Sequence, residues 1–261
     1  MAERKLMDLT KYTGPDQIIS SHEMCLKFQN EGDNTIKVMS QIPGLDAATD
    51  GFRGGELIAV SGPTKNGKTL LAQSLTVNFA KQQHFPLWFT FEVPARQFLG
   101  QFQELPLIYM PAKLKAYALP WLEERVYESF QKYRTRIIFV DHLHYLVDLA
   151  RMRNASIEIG TVIRQLKTMA VDGGFIIFLL CHTTKGRPEN LSYEAIRDSS
   201  FVSQESDSVF MVQRTPLEGE NSAEMRVEFH RRTGCMERVI PLVKVDCYLQ
   251  ERIDAGRHQQ D

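Results

Sequence analysis

The sequence feature that most constrains the fold is an eight-residue stretch, Gly62-Pro-Thr-Lys-Asn-Gly-Lys-Thr69. It matches G-x-x-x-x-G-K-[ST], a pattern whose glycines let backbone N–H groups converge on phosphate oxygens. The apolar run at 57–60 predicts a buried strand before it, and Lys68 and Thr69 open a predicted helix whose N-terminus adds positive potential. A plain glycine-rich connection is the alternative. We interpret the stretch as a site for ATP and Mg²⁺, formed by Gly62, Pro63, Thr64, Lys65, Asn66, Gly67, Lys68 and Thr69.

The rest of the chain alternates between apolar runs and helical patterns. Three runs are typical of strands buried on both faces, at 87–91, 136–140 and 175–180. Helical patterns follow or precede them, at 70–82, 94–103, 120–133 and 156–171. This alternation predicts an α/β fold with a mostly parallel central sheet flanked by helices. Apolar stretches on both sides of residues 231–234 predict a C-terminal β-hairpin.

We expect three segments along the chain. Residues 1–40 form an N-terminal extension, in which a helical pattern at 16–29 either packs on its own domain or docks on a neighbouring subunit. Residues 41–250 form the nucleotide-binding domain, and residues 251–261 form a polar tail.

Composition limits the partners and the compartment. The chain has 261 residues, 43% of them hydrophobic, and a net charge of −1. Any contact with nucleic acid must therefore come from local loops, or from a pore in which several subunits pool their charges. No apolar run approaches about 18 residues, and the first residues lack a signal-peptide core. The cysteines stand far apart without a C-x-x-C pair, at Cys25, Cys181, Cys235 and Cys247. We therefore expect reduced thiols, no membrane partner and a cytoplasmic location.

Three polar residues follow predicted strands, where ligands bind in parallel sheets. Asp141 comes after four apolar residues, as a Mg²⁺-binding Walker B acid does, although a plain turn residue has the same pattern. Glu92 is a candidate general base for an attacking water, or else a surface turn carboxylate. His182 could donate to the γ-phosphate, or could be an ordinary hydrogen-bonding residue.

Two further histidines, His142 and His144, lie beside Asp141. The H-x-H spacing is typical of metal ligands, but no third ligand is evident in the sequence. We therefore interpret this pair as structural.

Taken in order, these residues resemble the DnaB-like replicative helicases, which are hexameric RecA-fold motors that include phage primase-helicases and the mitochondrial helicase Twinkle. The similarity spans about 40–245 and rests on the phosphate loop, Phe91-Glu92, 137–141, Cys181-His182, 196–200 with Gln204 and Asp207, and 231–234. Cys181-His182 resembles the phage branch. The resemblance implies that Lys68 and Thr69 hold the phosphates and Mg²⁺. It also implies Asp141 as Walker B acid, Glu92 as hydrolytic base and His182 as γ-phosphate sensor.

In that family, a K-x-R-x-T-G hairpin inserts an arginine finger into the neighbouring subunit's site. Alignment on Thr233-Gly234 gives this role to Arg231 and places Phe229 where the family has lysine. Alignment on charge gives it to Arg232, with His230 in the lysine's place. We favour Arg231.

The resemblance also implies that the loops after the Walker B and sensor strands face a ring channel and hold single-stranded DNA. The matching segments contain Arg151, Arg153, Lys185, Arg187 and Arg197. Such charges bind phosphates without reading bases, which gives sequence-tolerant binding. A solvated surface loop is the alternative at each position.

The predicted function is that of an ATP-dependent DNA helicase motor. It would be a RecA-like P-loop NTPase that hydrolyses ATP at the subunit interfaces of a homo-oligomeric ring, expected to be a hexamer. It would move along single-stranded DNA, with a primase, a polymerase or a loader as possible replication partners. One alternative is a RadA-like or RecA-like recombination ATPase, because Cys181-His-Thr-Thr-Lys185 resembles the G-H-V-T-K of RadA. Another is an ATP-switched DNA-loading or assembly protein, which the replacement of lysine by Phe229 favours.

Overall fold

The computed structural model describes residues 10, 12–14, 16–31, 35–147, 155–183 and 199–252. It divides into two compact units, residues 1–35 and residues 36–261. The first unit contains helix α1 (Ser21–Glu31). Ser20 and Glu23 begin this helix as a capping box: the Glu23 N–H donates to Ser20 Oγ at 3.2 Å, and the Ser20 N–H donates to Glu23 Oε2 at 2.8 Å.

The second unit begins with a small antiparallel pair, β1 (Lys37–Val38) and β2 (Phe52–Arg53), on either side of α2 (Pro43–Thr49). The remaining described strands form one eight-stranded sheet with the order β10-β9-β8-β7-β3-β6-β5-β4. Their bounds are β3 Leu57–Ser61, β4 Leu87–Thr90, β5 Ile137–Asp141, β6 Ile176–Leu180, β7 Ser208–Arg214, β8 Ser222–His230, β9 Cys235–Val245 and β10 Tyr248–Glu251. Strands β4, β5, β6, β3 and β7 run parallel, and β8, β9 and β10 are antiparallel.

Further α-helices of the described chain connect these strands, α3 (Lys68–Lys81), α4 (Ala95–Leu99), α5 (Leu119–Tyr133), α6 (Ala155–Gly173) and α7 (Ser199–Glu205). Short 3₁₀ helices lie at Leu143–Tyr145 and Pro216–Glu218. Among the described residues, no helix is both long enough and apolar enough to cross a bilayer.

Each central strand contributes to two core layers because successive side chains point to opposite faces of the sheet. Ile58 and Val60 of β3 pack in the layer that contains α3, where Phe79 is fully buried. Leu57 and Ala59 pack in the layer that contains α5 and α6. Both faces are covered, and this explains why the strands are continuous apolar runs rather than alternating ones.

The structure confirms the predicted α/β class and the mostly parallel sheet. Helix α2 was not anticipated, since its Pro43-Gly44 start reads as a turn signal. Asp46 stabilises the entry to this helix, as its carboxylate accepts the N–H groups of Ser40 at 2.7 Å and Gln41 at 3.0 Å. The helical pattern at 94–103 yields only the five residues of α4. The predicted hairpin is β8 and β9, and β10 adds a third antiparallel strand.

Candidate active site

The phosphate-loop candidate connects β3 to α3 and depends on left-handed backbone. Gly62 has φ 146°, Lys65 has φ 64° and Gly67, the residue before α3, has φ 101°. A Cβ atom on Gly62 would lie 2.1 Å from the carbonyl oxygen of Val212 on the adjacent strand β7. Glycine at position 62 is therefore required by close backbone approach as well as by conformation.

Lys68 lies beneath this loop at the first position of α3. Its ammonium donates to the carbonyl oxygens of Gly62 at 2.9 Å and Pro63 at 3.0 Å, and the residue is buried. Burial lowers the pKa of Lys68, and the negative charges of Glu92 and Asp141 oppose that shift. The loop therefore holds a cation at the point where phosphate oxygens would enter.

Thr69 and Asp141 bring two oxygen atoms together at the carboxyl end of the sheet. Thr69 Oγ1 donates to Asp141 Oδ2 at 3.0 Å, and Asp141 is only 2% exposed. Burial raises the pKa of Asp141 to about 6, with a smaller increase from the Glu92 charge, while Thr69 and Lys68 oppose the rise. Hard oxygen donors of this kind fit Mg²⁺ beside a bound phosphate. These two residues are therefore the ones that would hold the ion.

Three side chains gather beside this pair, at the ends of three adjacent strands. Glu92 follows β4 and is exposed, His142 follows β5, and His182 follows β6. His182 Nε2 lies 3.7 Å from Glu92 Oε2, and the His142 and His182 rings are 4.1 Å apart between centroids. Burial and the nearby Lys68 charge lower the pKa of His182, so its imidazole is neutral near pH 7. A neutral imidazole can donate one hydrogen bond to an anion.

A cavity of about 310 Å³ adjoins the outer side of the loop. Arg214 was not predicted to lie beside the loop, where it lines this cavity and its backbone N–H donates to Asn66 Oδ1 at 3.0 Å. Arg214 ends β7, which pairs in parallel with β3, so the position of its strand is the signal that could have located it. The polar lining includes Lys65, Asn66, Arg214, Glu220, Asn221 and Lys244.

The predicted hairpin arginines lie at the β8–β9 turn and differ in their contacts. Arg232 is bound within its own chain: Nε donates to Glu56 Oε1 at 2.8 Å, and the terminal nitrogens contact the carbonyl oxygens of Thr49 and Gly51 and the carboxylate of Asp50. Arg231 is exposed, and its guanidinium donates to the backbone carbonyl of Gln204. These contacts give Arg232 a structural role and leave Arg231 available at the surface.

The hairpin turn and the phosphate loop lie at opposite ends of the sheet. The backbone N–H of Arg231 donates to Asp207 O at 2.8 Å, just before β7, and Arg232 contacts Glu56, just before β3. The loop begins after Ser61, at the other end of β3, which is about 16 Å away for a five-residue strand. Neither arginine can therefore reach the loop of its own chain.

Neither of the two residues that align with the family's hairpin lysine, Phe229 and His230, offers a free positive charge. Phe229 is partly buried against the second core layer, and His230 is 1% exposed. His230 Nδ1 lies 2.9 Å from Thr233 Oγ1, and burial lowers the pKa of His230. Asp207 is also structural, because its carboxylate accepts the Leu57 N–H at 2.8 Å and the Lys167 ammonium at 2.7 Å.

The five candidate DNA-binding residues, Arg151, Arg153, Lys185, Arg187 and Arg197, lie outside the described residues. The segments that contain them follow β5 and β6 in the chain, after Val147 and Thr183. Their role stays a prediction.

Comparison with known proteins identifies the fold. The family model described as "ATPase: KaiC" matches residues 38–107. A solved structure of a DnaB-like replicative helicase, described with its interactions with primase, superposes with a TM-score of 0.75 at 15% identity, covering 90% of this chain and 68% of that one. A second solved structure, described as an ATPase domain, gives a TM-score of 0.77 at 15% identity, covering 91% of this chain and 100% of that one. The chain therefore has the RecA-like P-loop ATPase fold of DnaB-like helicase ATPase domains.

Proposed function

We propose that this chain is the ATP-hydrolysing subunit of a ring-shaped, hexameric DNA helicase that moves along single-stranded DNA. The observation that carries the proposal is the separation of the phosphate loop from the hairpin arginines. Arg231 lies at one end of the sheet and Lys68 at the other, so an arginine finger can act only across a boundary between two copies. A fold shared with a DnaB-like helicase supports the same assignment.

The residues of the loop bind and orient the nucleotide. The Lys68 ammonium exchanges the carbonyl oxygens of Gly62 and Pro63 for the β- and γ-phosphate oxygens of ATP. Thr69 Oγ1 and the Asp141 carboxylate hold Mg²⁺. When bound, this ion neutralises charge that develops on the phosphoryl oxygens.

Two strand-end residues act on the water and the γ-phosphate. The exposed Glu92 carboxylate orients the attacking water and accepts its proton. The neutral His182 imidazole donates a hydrogen bond to a γ-phosphate oxygen. Its Nε2 lies 3.7 Å from Glu92 Oε2, so its position depends on the base as well as on the phosphate. The guanidinium of Arg231 from a neighbouring copy then stabilises the charge of the transition state.

Exposed apolar side chains on α1 support a ring. Within this helix, Met24 is 39% exposed, Leu26 58% and Phe28 61%. Apolar side chains on one short helix gain stability when another surface covers them. We assign α1 to a docking role on the adjacent subunit of the ring, within the 1–40 extension that precedes the ATPase domain at 41–250.

DNA binding and replication partners complete the proposal. Arg151, Arg153, Lys185, Arg187 and Arg197 bind the phosphates of single-stranded DNA. A primase is a partner class to test first, because the solved DnaB-like helicase is described with one. A polymerase and a loader are the other classes.

Unwinding of a forked DNA duplex by the full chain with ATP and Mg²⁺ tests this function. A helicase separates the strands, and Lys68→Ala abolishes separation. A recombination ATPase would hydrolyse ATP when DNA is added yet leave the fork intact. An ATP-switched loading or assembly protein would bind ATP with negligible turnover.

Electron microscopy with an ATP analogue and single-stranded DNA separates the same alternatives by shape. Closed rings with strand density in the channel support the helicase, whereas open helical filaments contradict it and favour the recombination ATPase.

A further inference from the structure

A cluster of metal-ligating side chains lies next to the Mg²⁺ candidate site but is distinct from it. Glu92, His142 and His182 each offer one ligand atom, and these three atoms lie within 4.8 Å of one another. The residues are far apart in sequence and meet because β4, β5 and β6 are adjacent in the sheet. His144, the other histidine of the H-x-H spacing, is not a member of this group of described residues.

The donor set selects the class of metal. Two imidazoles and one carboxylate suit Zn²⁺ and related transition metals, whereas Mg²⁺ prefers an all-oxygen shell. A tetrahedral Zn²⁺ with bonds of about 2.1 Å holds its ligands roughly 3.4 Å apart. His182 Nε2 and Glu92 Oε2 are already 3.7 Å apart, so small side-chain movements suffice for this pair. We propose that Glu92, His142 and His182 form a binding site for Zn²⁺ or a similar divalent transition metal.

Neighbouring groups define the site further. Nε2 is the His182 nitrogen that faces Glu92, while Nδ1 is buried and makes no hydrogen bond to the described residues. His142 Nδ1 accepts the His144 N–H at 3.3 Å. Metal binding would end this long hydrogen bond, because Nδ1 would then either bind the metal or carry the ring proton. Cys181 is buried, with its thiol directed at Leu179 O at 3.7 Å, and is not a ligand. Three protein ligands leave a fourth position for water or a phosphate oxygen.

Metal binding at this site has a consequence for ATP turnover, and this consequence rests on the proposed function. The metal would use the carboxylate assigned as base and the imidazole assigned as sensor, while Thr69 and Asp141 remain available to Mg²⁺. Zn²⁺ is therefore expected to inhibit ATP turnover even when Mg²⁺ is saturating. Inhibition of this kind couples turnover to the concentration of free transition metal.

Cobalt titration of the full chain, without a histidine tag, tests the site directly. We expect one Co²⁺ per chain, with the visible absorption of a tetrahedral nitrogen and oxygen site and without thiolate charge-transfer bands. His142→Ala and, as a milder change at a more exposed position, Glu92→Gln should each weaken binding about tenfold or more. His22→Ala, which removes an exposed histidine on α1, should bind Co²⁺ as the wild type does.

Absence of Co²⁺ binding to the wild type, or unchanged binding in both His142→Ala and Glu92→Gln, would overturn the site. Inhibition is then measured with Zn²⁺ at saturating Mg²⁺, each variant relative to its own zinc-free rate. The half-inhibiting concentration should rise about tenfold or more in His142→Ala, and an unchanged value would overturn the inhibitory role. Cobalt binding by Lys68→Ala keeps the two proposals separable, because it tests the metal site in a chain that does not turn over ATP.

Discussion

Lys68 shows how one side chain can be stable before its ligand arrives. Lys68 as a whole is 7% exposed, so its ammonium loses much of its hydration, and this loss lowers its pKa. The carbonyl oxygens of Gly62 and Pro63 replace that water, and the nearby carboxylates of Asp141 and Glu92 favour the charge. The cation is thus held beside the phosphate position, although burial outweighs the carboxylates and its pKa is lowered.

Replacing Lys68 with alanine should lower ATP turnover by about two to three orders of magnitude, as expected when a preorganised charge donor is lost. Steady-state phosphate release from the full chain measures this. Lys81→Ala, at the exposed end of the same helix, is the matched control and should keep the wild-type rate. Normal turnover by Lys68→Ala would contradict the assignment of the loop.

The raised pKa of Asp141, about 6 before nucleotide binds, predicts a pH dependence. Below pH 6 a proton occupies the carboxylate that Mg²⁺ needs, so apparent Mg²⁺ affinity should fall about tenfold per pH unit, and above it the affinity should level off. Fluorescent-nucleotide binding as a function of Mg²⁺ between pH 5 and pH 8 measures this. The same measurement on Asp141→Asn gives the part of the pH dependence that comes from protonation of the nucleotide's own phosphates. Identical pH profiles for both proteins would show that Asp141 does not hold the ion.

At the scale of elements, the β8–β9 turn assigns different roles to adjacent arginines. Arg232 joins the turn to the Glu56 carboxylate and to the carbonyl oxygens of Thr49 and Gly51 at the end of α2, whereas the Arg231 guanidinium donates to backbone carbonyls of α7. Glu56 is 7% exposed, and removal of Arg232 leaves its carboxylate with less compensation.

Arg232→Ala should therefore reduce the free energy of unfolding by about 2 kcal/mol. Arg231→Ala should change it by less than about 0.5 kcal/mol, as a surface substitution does, while lowering ATP turnover about a thousandfold. Urea denaturation and phosphate release, measured on both variants, separate the two effects. If Arg231→Ala were unstable and Arg232→Ala stable but inactive, the two roles would have to be exchanged.

Helix α1 is assigned to docking by its exposed apolar side chains. The double variant Leu26→Asp and Phe28→Asp should shift the chain from ring to monomer, because charge replaces the apolar surface that a neighbour covers in the proposed ring. Sedimentation velocity with an ATP analogue measures the assembly. Gln29→Glu adds charge at a polar position of the same helix and should still assemble. Rings that persist in the double variant would exclude α1 from the interface.

The strands were predictable because burial on both faces leaves an uninterrupted apolar run, as in Ile176–Leu180. Helix α2 was not, since the signal of Pro43-Gly44 as a turn is local, whereas the burial of Leu45 that stabilises the helix is tertiary. Strand β10 likewise depends on distant contacts: the Leu249 N–H donates to Ser74 Oγ at 2.8 Å, and the Gly44 N–H donates to Glu251.

At the scale of the molecule, the candidate site is predictable where sheet order alone locates a residue. Parallel strands end at one edge, and this places Glu92, Asp141 and His182 near the loop. The ion pair of Arg232 with Glu56, 176 positions apart, depends on hairpin register that no local pattern encodes. The meeting of His142 with Glu92 likewise required the observed neighbour order of β4, β5 and β6.

Sheet architecture also makes the proposed enzyme incomplete as a single copy. The residues proposed to bind nucleotide lie at the carboxyl ends of the parallel strands, and the exposed Arg231 lies beyond their amino ends. A head-to-tail ring brings these two ends together at every interface. Hydrolysis would then report on the state of both copies, which is what coordinated movement along DNA requires.

A mixture of two inactive variants tests this shared site most directly. Lys68→Ala retains the Arg231 finger, and Arg231→Ala retains the intact phosphate loop. In rings formed at random from equal amounts of the two variants, about a quarter of the interfaces combine an intact loop with an intact finger. We predict that a single round of ATP hydrolysis in the mixture far exceeds the sum of the separate variants. Mixed rings, verified by native mass spectrometry, that hydrolyse no more than that sum would contradict a site shared between copies.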